Sequence, residues 1–452
     1  MTALEKRATL SLSSIYALRM LGLFMILPVL SLFAEQMEGA TPMLIGLAIS
    51  VYGLTQAILQ IPFGLLSDRF GRKKIIIIGL ILFSAGSIVA AVSTTIYGVL
   101  IGRAIQGSGA IAAAIMALVA DLTQEVHRTK AMATIGASIG VSFGVAITLG
   151  PILASYVGIS GIFWLTAGLS LLAIFVVLFI VPTPKKSRVH RDAELVPGQF
   201  LNVLKNPDLL RLDYGIFVLH LCLTASFVVL PLLIRDAGLI PENHWMVYLP
   251  ILVTSMAVIV PFVIIAEKKR QMKKIFIGAI MALLLANVGL FMYFNNLVGL
   301  IGFLWLFFCG FNLLEATLPS LISKTAPGDL KGTAMGAYSS SQFMGAFVGG
   351  AAGGWLYGEL GVETVFLFSA IAAGSWVIVA LFMTPPKYLA NMLISLDDIS
   401  LEQGDQFVLD LLDIEGIAEV KLHFEESVAY LKVDNKVLKK DILQERINHW
   451  VS

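Results

Sequence analysis

Long apolar runs alternate with short polar or basic stretches along the chain as far as residue 383. Most runs are close to the roughly 20 residues that an α-helix needs to cross the hydrocarbon core of a bilayer. The pattern predicts twelve membrane-spanning helices in two groups of six, separated by a longer polar linker at 183–211. The predicted spans are 12–34, 43–66, 75–93, 96–120, 131–157, 160–182, 212–234, 245–266, 275–294, 297–322, 332–357 and 363–383.

Composition excludes several other classes of protein. Of the 452 residues, 58% are hydrophobic and only 13% are charged, whereas a soluble domain carries about 25% charged residues. A soluble enzyme, a disordered protein and a nucleic-acid-binding protein are therefore excluded. Cys222 and Cys309 lie in apolar runs, so we expect neither a disulfide framework nor a metal site. The first apolar run lacks a small-residue cleavage site and is interpreted as a retained span.

Basic residues are distributed unevenly between the predicted loops. Of the 25 Lys and Arg residues before position 391, 22 fall on one side when alternate loops are counted, and only Arg235 falls on the other. Loops rich in Lys and Arg face the cytoplasm. We therefore expect a multi-pass protein of the cell inner (cytoplasmic) membrane, with the N-terminus, the linker and the C-terminus in the cytoplasm.

The two groups of spans match each other at a spacing of about 200 residues. The loop at 67–74 aligns with the loop at 266–273, and residues 130–133 align with 333–336. Matching charged loops are harder to obtain by chance than matching apolar runs, so we interpret the pattern as an internal repeat. Repeated halves are typical of secondary transporters, which bind substrate near the midplane where the halves meet.

The loop between the second and third spans carries the sharpest signal. Gly64 permits close helix approach, and Gly71 permits a tight turn. Asp68 ends the second span on the side where the eleventh span begins, and the start of a helix attracts a carboxylate through its dipole. We hypothesise that Asp68 latches the two halves together in the outward-facing state. The other interpretation is a topological anchor without a gating role.

Two further groups extend this predicted latch. Asp121 ends the fourth span on the same side and is a candidate partner for Arg69 or Arg72. The second-half counterpart at 267–274 lacks both glycines, so we expect only an anchor there.

Residues 64–74 read G-L-L-S-D-R-F-G-R-K-K, which resembles the G-x-x-x-D-R/K-x-G-R-R/K loop signature of the major facilitator superfamily. Over its whole length the chain is similar to the YajR-like drug:proton antiporters of that superfamily. The resemblance implies an all-α polytopic fold of twelve helices, arranged as two pseudo-symmetric six-helix bundles. It also implies transport of a small molecule by alternating access.

Four ionisable side chains lie well inside predicted spans, where burial is costly and a function is the default expectation. Arg103 begins the sequence R-A-I-Q-G, which resembles the R-x-x-Q-G element of proton-coupled members and implies a role in proton transfer. The alternative for Arg103 is snorkelling or structural pairing. Glu315 and His220 are candidate proton carriers; the alternative for each is an ordinary hydrogen bond between helices. Arg19 could hold either of these groups or an anionic ligand.

The fifth span carries Gly140, Gly144 and the pair Gly150-Pro151. We expect the glycines to form a smooth face for close packing and Pro151 to favour a kink. The resemblance to the antiporter signature G-P-x-x-G-G is incomplete, because Ala154 and Ser155 replace the last two glycines. Antiport is therefore implied only in part.

A central cavity is expected to draw on polar side chains of several spans. The candidates are Tyr52, Gln56, Gln60, Asn312 and Gln342. Because few fixed charges accompany them, we expect an apolar, weakly polar or cationic solute.

After residue 386 the composition changes, and residues 391–452 hold six Lys and Arg against thirteen Asp and Glu. The pattern predicts strands at 388–396, 417–424 and 427–433 and helices at 401–413 and 436–448. This order is ferredoxin-like and resembles heavy-metal-associated domains, but the loop at 396–400 lacks their C-x-x-C motif. The module is either a regulatory unit that docks on the basic cytoplasmic loops or a passive folding or dimerisation unit.

These expectations combine into one prediction. The chain divides into a six-helix bundle at 1–182, a cytoplasmic linker at 183–211, a second bundle at 212–386 and a small α+β domain at 387–452. We predict a proton-coupled exporter of small amphipathic molecules that needs no cofactor or metal and is not an enzyme. The alternatives are a proton-coupled nutrient symporter and a membrane-embedded sensor that signals through its C-terminal domain.

Overall fold

The computed structural model describes residues 1–184, 200–327, 330–385, 389–396, 403–424, 428–434 and 436–451. Most basic residues of the predicted linker, the loop at 397–400 and the hairpin turn at 425–426 lie outside the described residues. Within them, ten helical segments are long and apolar enough to cross a membrane. One of these, Lys130–Phe179, has 50 residues and holds two spans. The helix Lys331–Leu360 is also long enough to cross a membrane, although its glycines and serines make it less apolar. With it, the number of spans reaches the predicted twelve.

The first half of the chain forms seven helices. They are α1 (Ala3–Met25), α2 (Leu30–Ala34), α3 (Pro42–Phe70), α4 (Arg72–Val92), α5 (Ile96–Ser108), α6 (Ala112–Leu122) and α7 (Glu125–Phe179). The first predicted span is divided between α1 and α2, with Pro28, which has no backbone N–H, in the break. The fourth predicted span is divided at 109–111 into α5 and α6.

Helix α7 is a hairpin of two spans that turns at Gly158. That residue has φ of 66°, a left-handed conformation that favours glycine. Along the first arm Ser138 and Ser142 donate to the carbonyls of Ser13 and Ala17. Along the second arm Arg7 donates to the carbonyl of Ile180. The first arm therefore contacts later residues of α1 as it proceeds, whereas the end of the second arm lies back near the start of α1. The two arms are antiparallel.

The second half contains another seven helices. They are α8 (Phe200–Leu204), α9 (Pro207–Asp236), α10 (Trp245–Lys268), α11 (Met272–Tyr293), α12 (Leu297–Thr325), α13 (Lys331–Leu360) and α14 (Val362–Leu381). Helix α9 begins five residues before the predicted start at 212. Asn206 caps it by accepting hydrogen bonds from the backbone N–H groups of Asp208 and Leu209, and Pro207 occupies the first turn.

We call the end of the bundle that carries residues 69–74 and 268–274 the basic face, and the end that carries Glu35 and Arg235 the opposite face. The two halves meet where α3 crosses α13, with Gly46 and Gly350 in backbone contact. A Cβ atom on Gly354 would lie 2.6 Å from the carbonyl oxygen of Pro42. Arg235 of α9 also donates to Glu35 at 2.7 Å. The halves are therefore joined at the opposite face.

The C-terminal residues form a small α+β domain, as predicted. It consists of β1 (Ala390–Ser395), α15 (Gly404–Leu412), β2 (Ile417–His423), β3 (Val428–Val433) and α16 (Lys440–Val451). The strands form an antiparallel sheet in the order β1-β3-β2. Phe407, Leu411 and Leu431 form the centre of its own hydrophobic core. Helix α16 begins four residues later than predicted, because Asp434 accepts a hydrogen bond from the Lys436 N–H and forms a turn first.

Candidate functional site

The loop after α3 holds a partly buried ionic cluster on the basic face. Arg72, only 4% exposed, forms an ion pair with Asp68 one turn earlier in the chain. Its guanidinium also lies 3.4 Å from Asp121 at the end of α6 and donates to Ser67 at 3.0 Å. Arg72 therefore joins α3, α4 and α6 of the first half.

Asp68 also faces the second half. It lines a cavity of about 100 Å³ together with Gly332, Met335 and Gly336 from the first turns of α13. Gln60 and Gly64 line the same cavity from α3. In this conformer the carboxylate and the start of α13 therefore lie on two sides of a cavity at the basic face.

The other residues of the loop have distinct positions. Gly71 adopts φ of 99°, which permits the turn between α3 and α4. A Cβ atom on Gly64 would lie 3.2 Å from the Ala113 Cβ, so this glycine allows α3 to approach α6. Arg69 is exposed and lies over the ring of Phe70. Of the two predicted partners of Asp121, Arg72 is the one that contacts it.

Arg103 is 2% exposed and is held by neutral oxygens. It donates to the backbone carbonyls of Ala48 and Ile49, at 3.2 and 3.0 Å, and to Gln106 at 2.9 Å. These bonds tie α5 to α3 and favour the structural-pairing alternative for this residue.

Arg19 is also buried, at 1% exposure. Its Nη2 donates to Tyr52 at 2.7 Å, to Gln56 at 2.8 Å and to the Gly109 carbonyl at 2.9 Å. The last bond satisfies a backbone oxygen at the break between α5 and α6. All these partners belong to the first half, so Arg19 does not hold Glu315 or His220 in this conformer.

His220 and Glu315 meet in the second half. His220 Nε2 of α9 lies 3.2 Å from Glu315 Oε1 of α12 and 2.8 Å from Gln342 Nε2 of α13. The ring of Phe311 lies beside the imidazole, with 5.8 Å between centroids. The Glu315 side chain is 31% exposed, so three helices hold one acidic and one imidazole group beside open space.

The glycines of the fifth span do not form the expected packing face. A Cβ atom on Gly140 or Gly144 would meet nothing within 4 Å, so both border open space. Gly150 does pack closely, because its Cβ would lie 2.9 Å from the Met25 carbonyl oxygen. Pro151 lies inside α7. Close packing is therefore confined to the end of this arm beside the break between α1 and α2.

The remaining cavity candidates are distributed over both halves. Gln56 and Gln60 are buried and adjacent, at 3.4 Å. Asn312 of α12 donates to Ser255 of α10 at 3.1 Å. Tyr52 packs edge-on against Phe343 of α13 and so contacts the other half directly.

Comparison with known proteins identifies the family. The profile of the Major Facilitator Superfamily matches residues 12–350. The chain is 45% identical over 447 residues to the inner membrane transport protein YajR of Escherichia coli (strain K12), covering 99% of this chain and 98% of that protein. The chain belongs to the major facilitator superfamily. It is thus a multi-pass membrane transporter, which implies a small-molecule substrate.

Two other similarities are more distant. Multidrug resistance protein 2 of Bacillus subtilis (strain 168) is 28% identical over 382 residues, covering 80% of this chain and 91% of that protein. The crystal structure of the human organic anion transporter MFSD10 (TETRAN) matches with a TM-score of 0.63 and 17% identity, covering 84% of this chain and 100% of that one. At that identity the second likeness supports the fold alone.

Two features of this transporter are not predicted by the sequence pattern. Asp213 lies at the edge of the predicted span 212–234, but α9 begins at Pro207 and buries it. The helix-start signal Asn206-Pro207 could have revealed this. The pair Glu35–Arg235 joins the halves at the opposite face, and the isolated position of Arg235 among the basic residues was its only sequence signal.

No group of three or more His, Cys, Asp or Glu side chains arranged to hold a metal ion occurs in the part of the chain that the structure describes. Cys222 and Cys309 are both free thiols, with Cys222 buried.

Proposed function

We propose that this transporter is a proton-coupled exporter of small amphipathic molecules. The observation that carries the proposal is the His220–Glu315 pair, held at 3.2 Å beside open space by three helices of the second half. Charge at this depth is costly, so gain or loss of a proton changes the free energy of the surrounding helices. A coupling site requires such a dependence.

The substrate class follows from the same surroundings. Glu315 pairs with His220, whose imidazole lies beside the Phe311 ring and the Gln342 amide. An acidic group among apolar walls suits a lipophilic cation or a weakly polar molecule. The multidrug resistance protein among the relatives supports export of such compounds.

Transport in proteoliposomes with an imposed pH gradient tests this proposal. A panel of lipophilic cations and neutral lipophilic compounds, with tetracycline included because a relative is a tetracycline resistance protein, would be screened for coupled proton movement. We expect Glu315→Gln and His220→Asn each to lower pH-driven transport by tenfold or more. Glu267→Gln is a suitable control, because Glu267 pairs with Lys324 on the basic face. Undiminished pH-driven transport in both pair variants would contradict the assignment.

We also propose that the basic face is cytoplasmic and that the protein resides in the inner membrane. The uneven distribution of Lys and Arg supports this orientation, and YajR is named as an inner membrane protein. Single cysteines at Lys268 and Asn295, in a background without Cys222 and Cys309, would test it. An impermeant thiol reagent added to intact cells is expected to label only the Asn295 position.

We infer that Asp68 acts as a latch that is open in this conformer. The halves are joined at the opposite face, while Asp68 and Gly332 line one cavity at the basic face. Closure of that cavity would bring the carboxylate to the start of α13, which helix dipoles favour by about 0.3–1 kcal/mol. Asp68→Asn is expected to abolish transport without loss of membrane insertion, and unchanged transport would leave only an anchor.

We further propose that the C-terminal domain docks on the second half and regulates this closure. Arg270, in the turn between α10 and α11, donates to both oxygens of Asp434 at 2.7 and 2.8 Å. Lys432 donates to the carbonyl of Lys324 at 2.8 Å and also to that of Ala326. Ala326 precedes α13, so the domain is bonded to the segment that leads into the latch helix.

Deletion of 388–452 tests the regulatory role. Regulation predicts transport rates that differ from those of the full chain, with a difference that shrinks in high salt because exposed pairs are screened. Arg270→Gln should reproduce part of the effect, and Arg69→Gln serves as a charge-matched control on the same face. Identical transport by the deleted and full chains at low and high salt would show a passive domain.

A further inference from the structure

Asp213 is a buried acidic side chain that the proposed coupling pair does not include. It lies in α9, about 9 Å from the helix start at the usual rise of 1.5 Å per residue, and is 5% exposed. Neither carboxylate oxygen has a hydrogen-bond partner in the part of the chain that the structure describes. No Lys or Arg nitrogen within the described residues lies within 4.0 Å of it. By contrast, Asp208 on the same helix pairs with Arg211 at 2.6 Å and accepts from Thr384 at 2.7 Å.

Helix packing places Asp213 within one helical turn of Tyr338. Phe217 and Leu221 of α9 contact Gly345 and Gly349 of α13, so both helices advance together in the same direction. This register puts Asp213 level with Ser341, three residues or about 4.5 Å along the axis from Tyr338. The Tyr338 hydroxyl is buried and has no hydrogen-bond partner among the described residues.

Tyr338 also precedes, by one turn of α13, the side chain that contacts the coupling pair. Gln342, one turn further along α13, lies 2.8 Å from His220. From the third neighbouring helix, α14, the side chains near this part of α9 are the neutral Ser375, bonded to Tyr214, and Trp376, beside Gly215.

We propose that Asp213 and Tyr338 form a second proton-binding site, which exchanges protons between the His220–Glu315 pair and the basic face. This inference rests on the proposed proton coupling. Asp213 lies two helical turns, or about 10.5 Å, from His220 on the side of the basic face. An ionised carboxylate without partners is costly at this depth. The protonated, neutral form of Asp213 therefore has the lower free energy.

The transfer conserves atoms and charge. The Tyr338 hydroxyl is not hydrogen-bonded to either acidic group in this conformer, so the transfer requires a rotation that brings the hydroxyl into contact with both. A proton from the coupling pair then binds the Tyr338 oxygen while the hydroxyl proton of Tyr338 passes to the Asp213 carboxylate, and no other bond changes. When the cavity at the basic face opens further, Asp213 returns the proton to water. The side chain that receives the proton is thus separate from the side chains that face the transported molecule.

Infrared titration of the full-length protein in lipid nanodiscs tests the site without any substrate. We expect Asp213→Asn to remove one C=O band of a protonated carboxyl group, and Asp208→Asn to leave that band in place. Absence of a protonated-carboxyl band assignable to Asp213 across the stability range of the protein would overturn the proposal. A band that disappears on addition of Na⁺ at constant pH would also overturn it, since it would indicate a cation site.

A pair of transport measurements then separates proton exchange from a structural role. The probe is whichever panel compound the wild type transports, assayed both by pH-driven accumulation and by substrate–substrate exchange without net proton movement. We expect Asp213→Asn to lower accumulation at least tenfold while exchange stays within about twofold. Parallel loss of both activities, or loss of neither, would refute the role.

Tyr338→Phe provides a milder test, because it removes only the hydroxyl. Tyr248→Phe is its matched control, since the Tyr248 hydroxyl is also buried without a partner but lies near the opposite face. We expect pH-driven accumulation to slow at least threefold in Tyr338→Phe only. Equal rates in the two variants would exclude Tyr338 from the exchange. If the wild type transports no probe with protons, the proposed function fails, while the infrared result still decides whether Asp213 binds a proton.

Discussion

The contact between α3 and α13 at the opposite face can be tested by adding a single methyl group. In Gly354→Ala the new Cβ would lie 2.6 Å from the Pro42 carbonyl oxygen and 2.9 Å from the Gly46 Cα. Ordinary contact begins at 3.4 Å, so the shorter distance falls short by about 0.8 Å. Both neighbours are backbone atoms and cannot rotate away. Overpacking of this kind costs about 1–3 kcal/mol, which corresponds to roughly a 5- to 150-fold change in a conformational equilibrium.

The methyl group should penalise only the state in which the halves are joined at the opposite face. Distances between spin labels at Glu38 and Asn295, one in each half at that face, would report the population of this state. We expect Gly354→Ala to shift the distribution towards longer distances. Gly278→Ala is the matched control, because its Cβ would meet nothing within 4 Å. An unchanged distribution in a Gly354→Ala protein of normal thermal stability would refute the reasoning.

Three further predictions follow from the described contacts. Arg72→Gln removes an ionic partner of the fully buried Asp121 side chain and should lower stability in a thermal unfolding assay by about 3–5 kcal/mol. Arg69→Gln, at an exposed position, should change stability by no more than about 0.5 kcal/mol. Hydrogen bonds from the Lys436 N–H and from Arg270 lower the pKa of Asp434, so its contribution to docking is present above its undocked pKa near 4 and is lost as the pH falls through the lower docked pKa. Burial lowers the pKa of Lys432 to about 8, so the docked fraction should rise as the pH increases from 8 to about 10.4. Energy transfer between labels at Asp405 and Lys268 would measure both trends. Phe407→Ala should destabilise the C-terminal domain by about 3–5 kcal/mol, seen as faster hydrogen exchange in 403–451 with unchanged exchange in the helices of the bundles, while the exposed Leu409→Ala should have little effect.

The sequence predicted the number of spans and their grouping because a bilayer imposes one length on every apolar run. It did not predict where spans break. At the division of the fourth span, Arg19 donates a long-range hydrogen bond to the Gly109 carbonyl, and no local sequence pattern predicts such a bond. The hairpin at Gly158 was anticipated as two spans, but its tight turn depends on a positive φ at one glycine among many.

Pairing of functional side chains was predictable only where chain topology restricts the choices. Arg72 begins the third span and Asp121 ends the fourth on the same face, so their proximity follows from the alternation of loops. The meeting of His220 with Glu315 depends instead on how α9, α12 and α13 rotate about their axes. The glycines of the fifth span show the same limitation, because their spacing cannot tell a packing face from a face that borders open space. Gly140 and Gly144 lie on a face that borders open space.

The energies of the two faces suggest how protonation could control the exchange between them. The Glu35 and Arg235 side chains are each more than one-third exposed, and exposed pairs are worth about 0–1 kcal/mol. The dipole contribution at Asp68 is of similar size, about 0.3–1 kcal/mol. One elementary charge that crosses 100 mV is worth about 2.3 kcal/mol, which exceeds either polar closure. Under the proposed coupling, a proton that carries its charge across this potential therefore supplies more free energy than either polar closure holds. Strong ionic closures would oppose that reversal, whereas glycine contacts and single weak pairs where the halves separate permit it.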